Sequence, residues 1–201
     1  MQPVSAKGVA TRERILAAAV ARFADQGFHD TSVAAIARDA GVTGPAVHAY
    51  FASKQDLFHA AFERDVAPVL AALDTEAVVY QRMAGDETGG GAPGGPLRRV
   101  TAELLRHPLA LRIFSGGEPA LTRQLMTLPT VAEAHERLVG RVRAGQEAGV
   151  LRSDLSATAL AGALETIVFA LLLGALQLGV GRDTERRQAI AAVISQGITA
   201  R

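Results

Sequence analysis

The stretch Thr31–Leu57, TSVAAIARDAGVTGPAVHAYFASKQDL, holds a few hydrogen-bonding side chains among residues that are small or apolar. His48 and Tyr50 can donate to a phosphate oxygen or a base edge. Pro45 and Ala46 present apolar surface suited to a thymine methyl, and Gly44 and Ala49 add no bulk. This is chemistry of recognition. Nothing in the run pairs a nucleophile with a base, so bond breaking is not what these residues are spaced to do.

Other chemistries are poorly provided for. The chain has no Cys, which removes disulfide frameworks, thiol nucleophiles and Cys-based metal sites. Its five histidines, His29, His48, His59, His107 and His135, include no H-x-x-x-H or H-E-x-x-H pair, so no metal is expected. Ser115, in FSGG, is outside any G-x-S-x-G elbow. GGGAPG at Gly89–Gly94 matches G-x-G-x-x-G in letters only; it follows no strand, contains Pro93 and reads as a linker. Arg98, Arg99 and Arg106 share a predicted helix and are read as a solvated face, with a charged-ligand site as the alternative. No cofactor and no enzymatic activity are expected. A helical enzyme that turns over substrate without DNA stays as a minor rival.

The recognising residues need elements to hold them. Thr11 can cap a helix running to about Gln26, with Ile15, Leu16, Ala19 and Phe23 on one face and Gly27 as its stop. Thr31 or Ser32 caps a second, short helix that turns Ile36 and Ala37 inward and ends at Gly41. Thr43 caps a third, with Val47 and Phe51 four residues apart and inward. That leaves Gly44, Pro45, Ala46, His48, Ala49 and Tyr50 for the outer and flanking faces. Helix, AGVT, helix is helix-turn-helix geometry: Gly41 gives the corner its backbone freedom, Val42 plugs the angle, and Ala37 permits close approach. Proline in the first helical turn costs no hydrogen bond, because those N–H groups have no intrahelical partner. Ser53-x-x-Asp56 opens a fourth helix in near capping-box form, with Ala52 and Leu57 as its staple and an apolar stripe reaching perhaps to Tyr80.

Composition changes at AGDETGGGAPGGP, Ala84–Pro96, a flexible connection. Helical patterns follow at Leu97–Arg106, about Leu109–Phe114, Val131–Glu147, Ser156–Val180 and Asp183–Ile198. The fold class is all-α with about nine helices: a three-helix helix-turn-helix domain at 1–53, then a larger bundle at 54–201. Apolar residues make up 49% of the 201, enough to fill a sizeable core, and aromatics are only 4%, which disfavours strands. The net charge of +1 argues for no partner by itself, and six basic against four acidic side chains over residues 1–54 make a weakly basic unit. The N-terminus lacks the apolar core of a signal peptide. The longest uncharged stretch, Thr166–Val180, is shorter than a membrane span of roughly 20 residues. No membrane partner and a cytoplasmic location are expected.

The run GFHDTSVAAIARDAGVTGPAVHAYFASKQDLF, within Thr11–Phe62, resembles the DNA-binding domain of the TetR family of transcriptional regulators. The likeness lies in the order Gly-aromatic, Thr/Ser cap, Ile-Ala, Ala-Gly-Val-Thr, Tyr-Phe, Ser-Lys and Leu-Phe. The later RVRAGQEAGVLRSDLSATALAGAL is similar to that family's late bundle. The resemblance implies that Thr31 and Ser32 hold phosphate at the second helix start. It implies that Thr43, Gly44, Pro45, Ala46, His48, Ala49 and Tyr50 face the groove or its walls, and that Lys54 takes a phosphate. Gly44 stands where the family often has Lys, His48 where Tyr is common, and Ala34 where some members carry a base-reading polar residue. Direct hydrogen-bond readout is thus expected to be thin, with shape readout or the basic arm Lys7, Arg12 and Arg14 supplying more.

The resemblance further implies a homodimeric repressor that binds double-stranded DNA at a palindromic or near-palindromic operator. Its last two helices would pair with their copies, and a small hydrophobic effector would release it. The Ser156–Val180 helix suits that pairing on its own terms, with Leu160, Leu164, Ile167, Leu171 and Leu178 as a stripe and Ala161, Gly162, Ala163, Ala170 and Gly174 allowing close approach. Taken with the resemblance, Phe62, Met83, Leu104, Leu105, Phe114, Met126, Leu128, Phe169 and Leu172 would line an apolar cavity between the fourth helix and Ser156–Val180. Arg99, His107, Gln124 or His135 would be its polar anchors, with the Gly89–Gly95 linker and breaks at Pro108, Pro119 and Pro129 where the wall could yield. For any one of these residues, plain core packing is the competing reading. A small-molecule-binding protein with a vestigial DNA head is the rival for the whole.

Overall fold

The first helix begins earlier than its sequence cap. α1 spans Ala6–Asp30; Ala6, Lys7 and Ala10 favour helix and no proline stops it, which outweighs Gly8. Its regular course is interrupted at Gly27, with φ 80° and ψ 176°, a left-handed conformation open to glycine. The structure, a computed structural model, describes residues 6–75, 95–178 and 184–200. Among these, the remaining helices are α2 Val33–Asp39, α3 Gly44–His48, α4 Lys54–Thr75, α5 Gly95–Leu104 and α6 Pro108–Phe114. They are followed by α7 Pro119–Leu125, α8 Pro129–Glu147, α9 Ala157–Leu178 and α10 Thr184–Ile198. Most of the Ala84–Pro96 connection, Met83 and Tyr80 lie outside the described residues.

Among the described residues ten helices stand where the sequence predicts about nine. The additional one is α7, with Pro119 in its first turn, where the sequence suggests a break. Pro108 and Pro119 occupy the first turn of α6 and α7, and Pro129 is the first residue of α8. There proline's fixed φ favours the helix and its missing N–H loses nothing. These three prolines start helices.

The chain forms two compact units, one taking in residues up to Pro68 with Arg106–Leu128, the other Val69–Leu105 with the residues from Pro129 onward. This division does not follow the 53/54 boundary, which rests on function. In the first unit α1 packs on α2 and α6, and α2 on α3. Its core includes Ile15, Leu16, Phe23, Ile36, Val47, Leu57, Phe58 and Phe62, all essentially buried. Phe58 meets Phe23 edge-on at 4.9 Å and Phe28 at 5.1 Å, geometry that adds to plain area burial.

In the second unit α9 packs on α8 and α5, and Val139, Val142, Leu151, Leu160, Ala161, Leu164 and Ile198 form its core. The Leu151–Thr199 bridge, with Arg152 N donating to Ile198 O at 2.9 Å, ties the end of α10 to the turn before α9. By length and composition α9 could cross a bilayer, which the shorter uncharged stretch Thr166–Val180 alone does not suggest. Its partners here are protein: Leu160, Ala161 and Leu164 lie in the core, and Glu165 receives His135 Nδ1 at 2.9 Å.

Candidate nucleic-acid interface

Local rules fix the recognition element. Ser32 Oγ accepts from Ala35 N at 3.1 Å, so Ser32 and not Thr31 caps α2. The end of α2 is closed by Val42 N donating to Ala37 O at 2.9 Å and Gly41 N to Arg38 O at 3.1 Å. That paired closure needs a left-handed residue, supplied by Gly41 at φ 65°. α3 then starts at Gly44 from an extended Thr43, whose side chain makes no capping hydrogen bond. Val47 and Phe51 turn into the core as expected. Thr43, Pro45, His48 and Ala49 are exposed, and Gly44, Ala46 and Tyr50 half-buried.

Two electrostatic contacts hold the three helices at their angles. Arg22 on α1 grips Asp39 at the end of α2 through Nε–Oδ2 at 2.5 Å and Nη2–Oδ1 at 3.0 Å. Arg22's hydrogen bond is the main cause that holds the Asp39 carboxyl below the usual carboxylate range. Partial burial opposes it and the guanidinium charge adds to it. The Arg12 guanidinium lies 5.3 Å above the Phe51 ring, a cation–π contact next to α3.

Two of the phosphate residues stand differently from expectation. Thr31 is 2% exposed, and its hydroxyl donates to Gly27 O at 2.7 Å. It latches the α1–α2 corner from within and offers nothing outward, so of the pair only Ser32 remains at the surface. Lys54 Nζ donates to His29 O at 3.0 Å and sits 4.7 Å over the Phe28 ring. An ammonium has three donors, so this tie leaves capacity for a phosphate while fixing where the ammonium stands. Half of the capping box forms: Asp56 N donates to Ser53 Oγ at 3.0 Å, whereas the Asp56 carboxylate accepts from the Ser53 hydroxyl, at 2.8 Å, and not from its backbone N–H.

The expected cavity residues are divided between the units. Phe62, Phe114 and Met126 belong to the first, and Leu104, Phe169 and Leu172 to the second. Phe62, Leu104 and Leu172 are buried, Phe114, Met126 and Leu128 half-buried. Leu105 and Phe169 are surface residues of their unit, at 59% and 37% exposure, so neither is core lining there. Met83 lies outside the described residues, and Arg99 falls where the backbone alone is described. The other anchors already have protein partners: His107 with Asp65, Gln124 Oε1 with Gln55 Nε2 at 3.0 Å, and His135 with Glu165.

Sequence reasoning missed the buried acids. Asp65 Oδ2 accepts from both Leu109 N and Ala110 N at 2.9 Å, and Oδ1 from His107 Nδ1 at 3.2 Å, so a side chain of α4 caps α6. Glu118 Oε1 accepts from Phe28 N at 2.9 Å and faces Arg112 Nε at 3.4 Å. The available signal was a charge inside the apolar stripe of α4, between Phe62 and Val66.

A short helix anchored by Val47 within it and Phe51 just after it, set on α2 through a glycine corner and presenting small and hydrogen-bonding residues, defines a helix-turn-helix unit. Residues 15–61 match the N-terminal domain described as bacterial regulatory proteins, tetR family. Over 55 residues the chain is 44% identical to the HTH-type transcriptional regulator YdgC of Bacillus subtilis (strain 168), a stretch that is 27% of this chain and 28% of that protein. Over 149 residues it is 28% identical to the HTH-type transcriptional repressor SCO4008 of Streptomyces coelicolor, covering 74% of this chain and 71% of that one. A TetR family transcription regulator from Marinobacter aquaeolei VT8 has the same fold, with TM-score 0.63 and 20% identity over 97% of this chain and 98% of its own. Residues 15–61 thus carry the N-terminal domain of the tetR family, and the whole chain shares the fold of the Marinobacter aquaeolei regulator.

Proposed function

We propose that this protein is a sequence-specific repressor that leaves its operator when a small hydrophobic compound binds. The observation that carries the reading is the outward surface of α3, where Pro45, His48 and Ala49 are exposed while Val47 and Phe51 anchor the helix from behind. A helix held from one side and bare on the other is what entry into a major groove requires. Repression is supported by the name of the Streptomyces coelicolor relative, a transcriptional repressor.

Residues 1–53 read DNA and residues 54–201 bind effector and dimerise. Thr43, Gly44, Pro45, Ala46, His48, Ala49 and Tyr50 meet the groove, and Ser32 and Lys54 its phosphates. A homodimer sets two α3 helices in successive major grooves roughly 34 Å apart, so the operator is palindromic or nearly so. The weakly basic head makes two copies necessary for useful affinity. The effector acts only by binding better to the form whose heads are wrongly spaced. A cytoplasmic location follows from access to DNA.

The test is selection of genomic fragments by the purified protein, then release of the recovered DNA by candidate compounds. Recovery of one symmetric motif supports the reading. Negligible, salt-insensitive DNA binding beside tight compound binding would leave the vestigial-head alternative.

A further inference from the structure

The outward chemistry of α3 is almost devoid of hydrogen bonding. From Thr43 to Tyr50 there is no Arg, Lys, Asn, Gln, Asp or Glu, the residues that make paired contacts to guanine, adenine or cytosine edges. Of the exposed positions within α3, His48 alone can donate to a base, while Pro45 is apolar, as is Ala49 directly after; the hydroxyls of Thr43 and Tyr50 flank the helix. At Gly44 the helix surface is bare: a Cβ there would meet nothing within 4 Å. On α2, Ala34 is exposed as well. A surface of Gly, Pro and Ala lets the helix backbone come close to the groove floor, and it pairs with no polar group once there. In the major groove the apolar feature that such a surface can recognise is the methyl on C5 of a pyrimidine.

We infer that this protein selects its operator chiefly through C5-methyl groups packed against Pro45 and Ala46, with His48 and the hydroxyls of Thr43 and Tyr50 as the polar contacts. The inference rests on α3 being the DNA-reading helix. It has a consequence that hydrogen-bond readers lack. Thymine without its methyl is a wrong base, and 5-methylcytosine is recognised above cytosine at the same positions, so operator occupancy responds to cytosine methylation.

The test changes the DNA and leaves the protein intact. In a fragment recovered by selection, each thymine of a half-site is replaced in turn by deoxyuridine, which removes the methyl and keeps every hydrogen-bonding group. At one or two positions the affinity should fall about fourfold, and about fifteenfold when both half-sites carry the change. The salt dependence should stay the same for both DNAs, because no phosphate contact is altered. At those positions 5-methylcytosine should bind more tightly than cytosine by a similar factor. Ala46→Gly and Pro45→Gly proteins should bind thymine and uracil operators alike, whereas His48→Ala should keep the preference. The inference is overturned if uracil is tolerated at every thymine of a tightly bound operator, or if Ala46→Gly and Pro45→Gly both keep the full preference. Failure to recover any DNA, even at low salt, instead removes the DNA-reading role of α3 and this inference with it.

Discussion

Glu118, one residue ahead of α7, accepts a hydrogen bond from the backbone amide of Phe28 at 2.9 Å. The two are ninety positions apart in sequence, and the contact falls where α1 changes course toward α2. Gly27 makes it possible: its φ of 80° turns the next amide outward, and a Cβ on it would lie 2.5 Å from Glu118 Oε1 and 2.7 Å from Arg112 Nη2. The same corner is held by Thr31 on Gly27 O and by Lys54 on His29 O. Three side chains from different parts of the first unit therefore set the direction in which α2 leaves.

Gly27→Ala should be costly on two grounds, a strained backbone and a clash with a paired carboxylate, together about 2–4 kcal/mol. Glu118→Ala removes the acceptor of a part-buried amide and the partner of Arg112, for about 1–3 kcal/mol, and Glu118→Gln should recover part of that by keeping an acceptor. Urea unfolding of the three variants measures this. A Gly27→Ala protein as stable as the parent would mean that the corner is not fixed as described.

Asp65 offers a second check. Its carboxylate closes the start of α6 through two amides at 2.9 Å and holds His107 as well. Asp65→Ala removes the acceptor of the two buried amides, Leu109 N and Ala110 N, and should cost about 3 kcal/mol, lowering the melting temperature by roughly 6–12 °C. Asp65→Asn keeps one acceptor oxygen and should lose less. If the alanine and asparagine proteins melt together near the parent, the cap carries no stability.

These acids also mark how far the sequence could be read. Thr31 to Leu57 was legible because its signals are local: a Ser cap, Gly41 at the corner, Val47 and Phe51 four apart, and Ser53 with Asp56. Each is fixed by neighbours within a few residues. Asp65 and Glu118 take their roles from amides 44 and 90 positions away, and no short-range pattern encodes that. The sequence leaves Thr31 and Ser32 open as the cap of α2, because a hydroxyl at either position could serve; Ser32 takes it while the Thr31 hydroxyl turns back to Gly27 O, four residues earlier. Pro119 was read as a break because proline interrupts helices and begins them with the same residue type.

The Arg22–Asp39 pair makes stability pH-dependent in a defined direction. Asp39's carboxyl is held below its ordinary value by the hydrogen bond from Arg22, so the folded state favours the ionised form. The pair thus stabilises above the ordinary carboxylate range, and the contribution is lost as pH falls through the folded value. Arg22 is raised and stays charged throughout. Both side chains are partly exposed, so the effect is small and weakened by salt. Urea midpoints from roughly pH 6 to roughly pH 3 should fall less steeply for Asp39→Asn than for the parent. Parallel curves would show that the pair does not couple to folding.

Lys54 has two roles that separate experimentally. As a phosphate ligand, its loss in Lys54→Ala should weaken binding to all sequences alike and reduce the salt slope by about one. As a tie to His29 O it should also lower the melting temperature slightly. A stable variant with an unchanged slope and an altered base preference would remove Lys54 from the phosphates. A destabilised variant with an unchanged slope would leave it only the tie.

The homodimer is tested where a protomer has least to lose. Val193 on α10 is 70% exposed, and Ile167 and Phe169 on α9 are 38% and 37% exposed. Leu171 is half-buried within its own unit, so a charge there could unfold the protomer and blur the result. Val193→Glu on a free surface should change folding stability by less than about 0.5 kcal/mol. In a twofold interface the same change places two unpaired carboxylates in mirrored apolar surroundings, at a cost of several kcal/mol to association. Sedimentation should therefore show a folded monomer, and operator affinity should drop because each head then binds alone. Ile167→Glu should act in the same way. If Val193→Glu and Ile167→Glu both remain dimeric with unchanged melting, the last two helices do not form the interface.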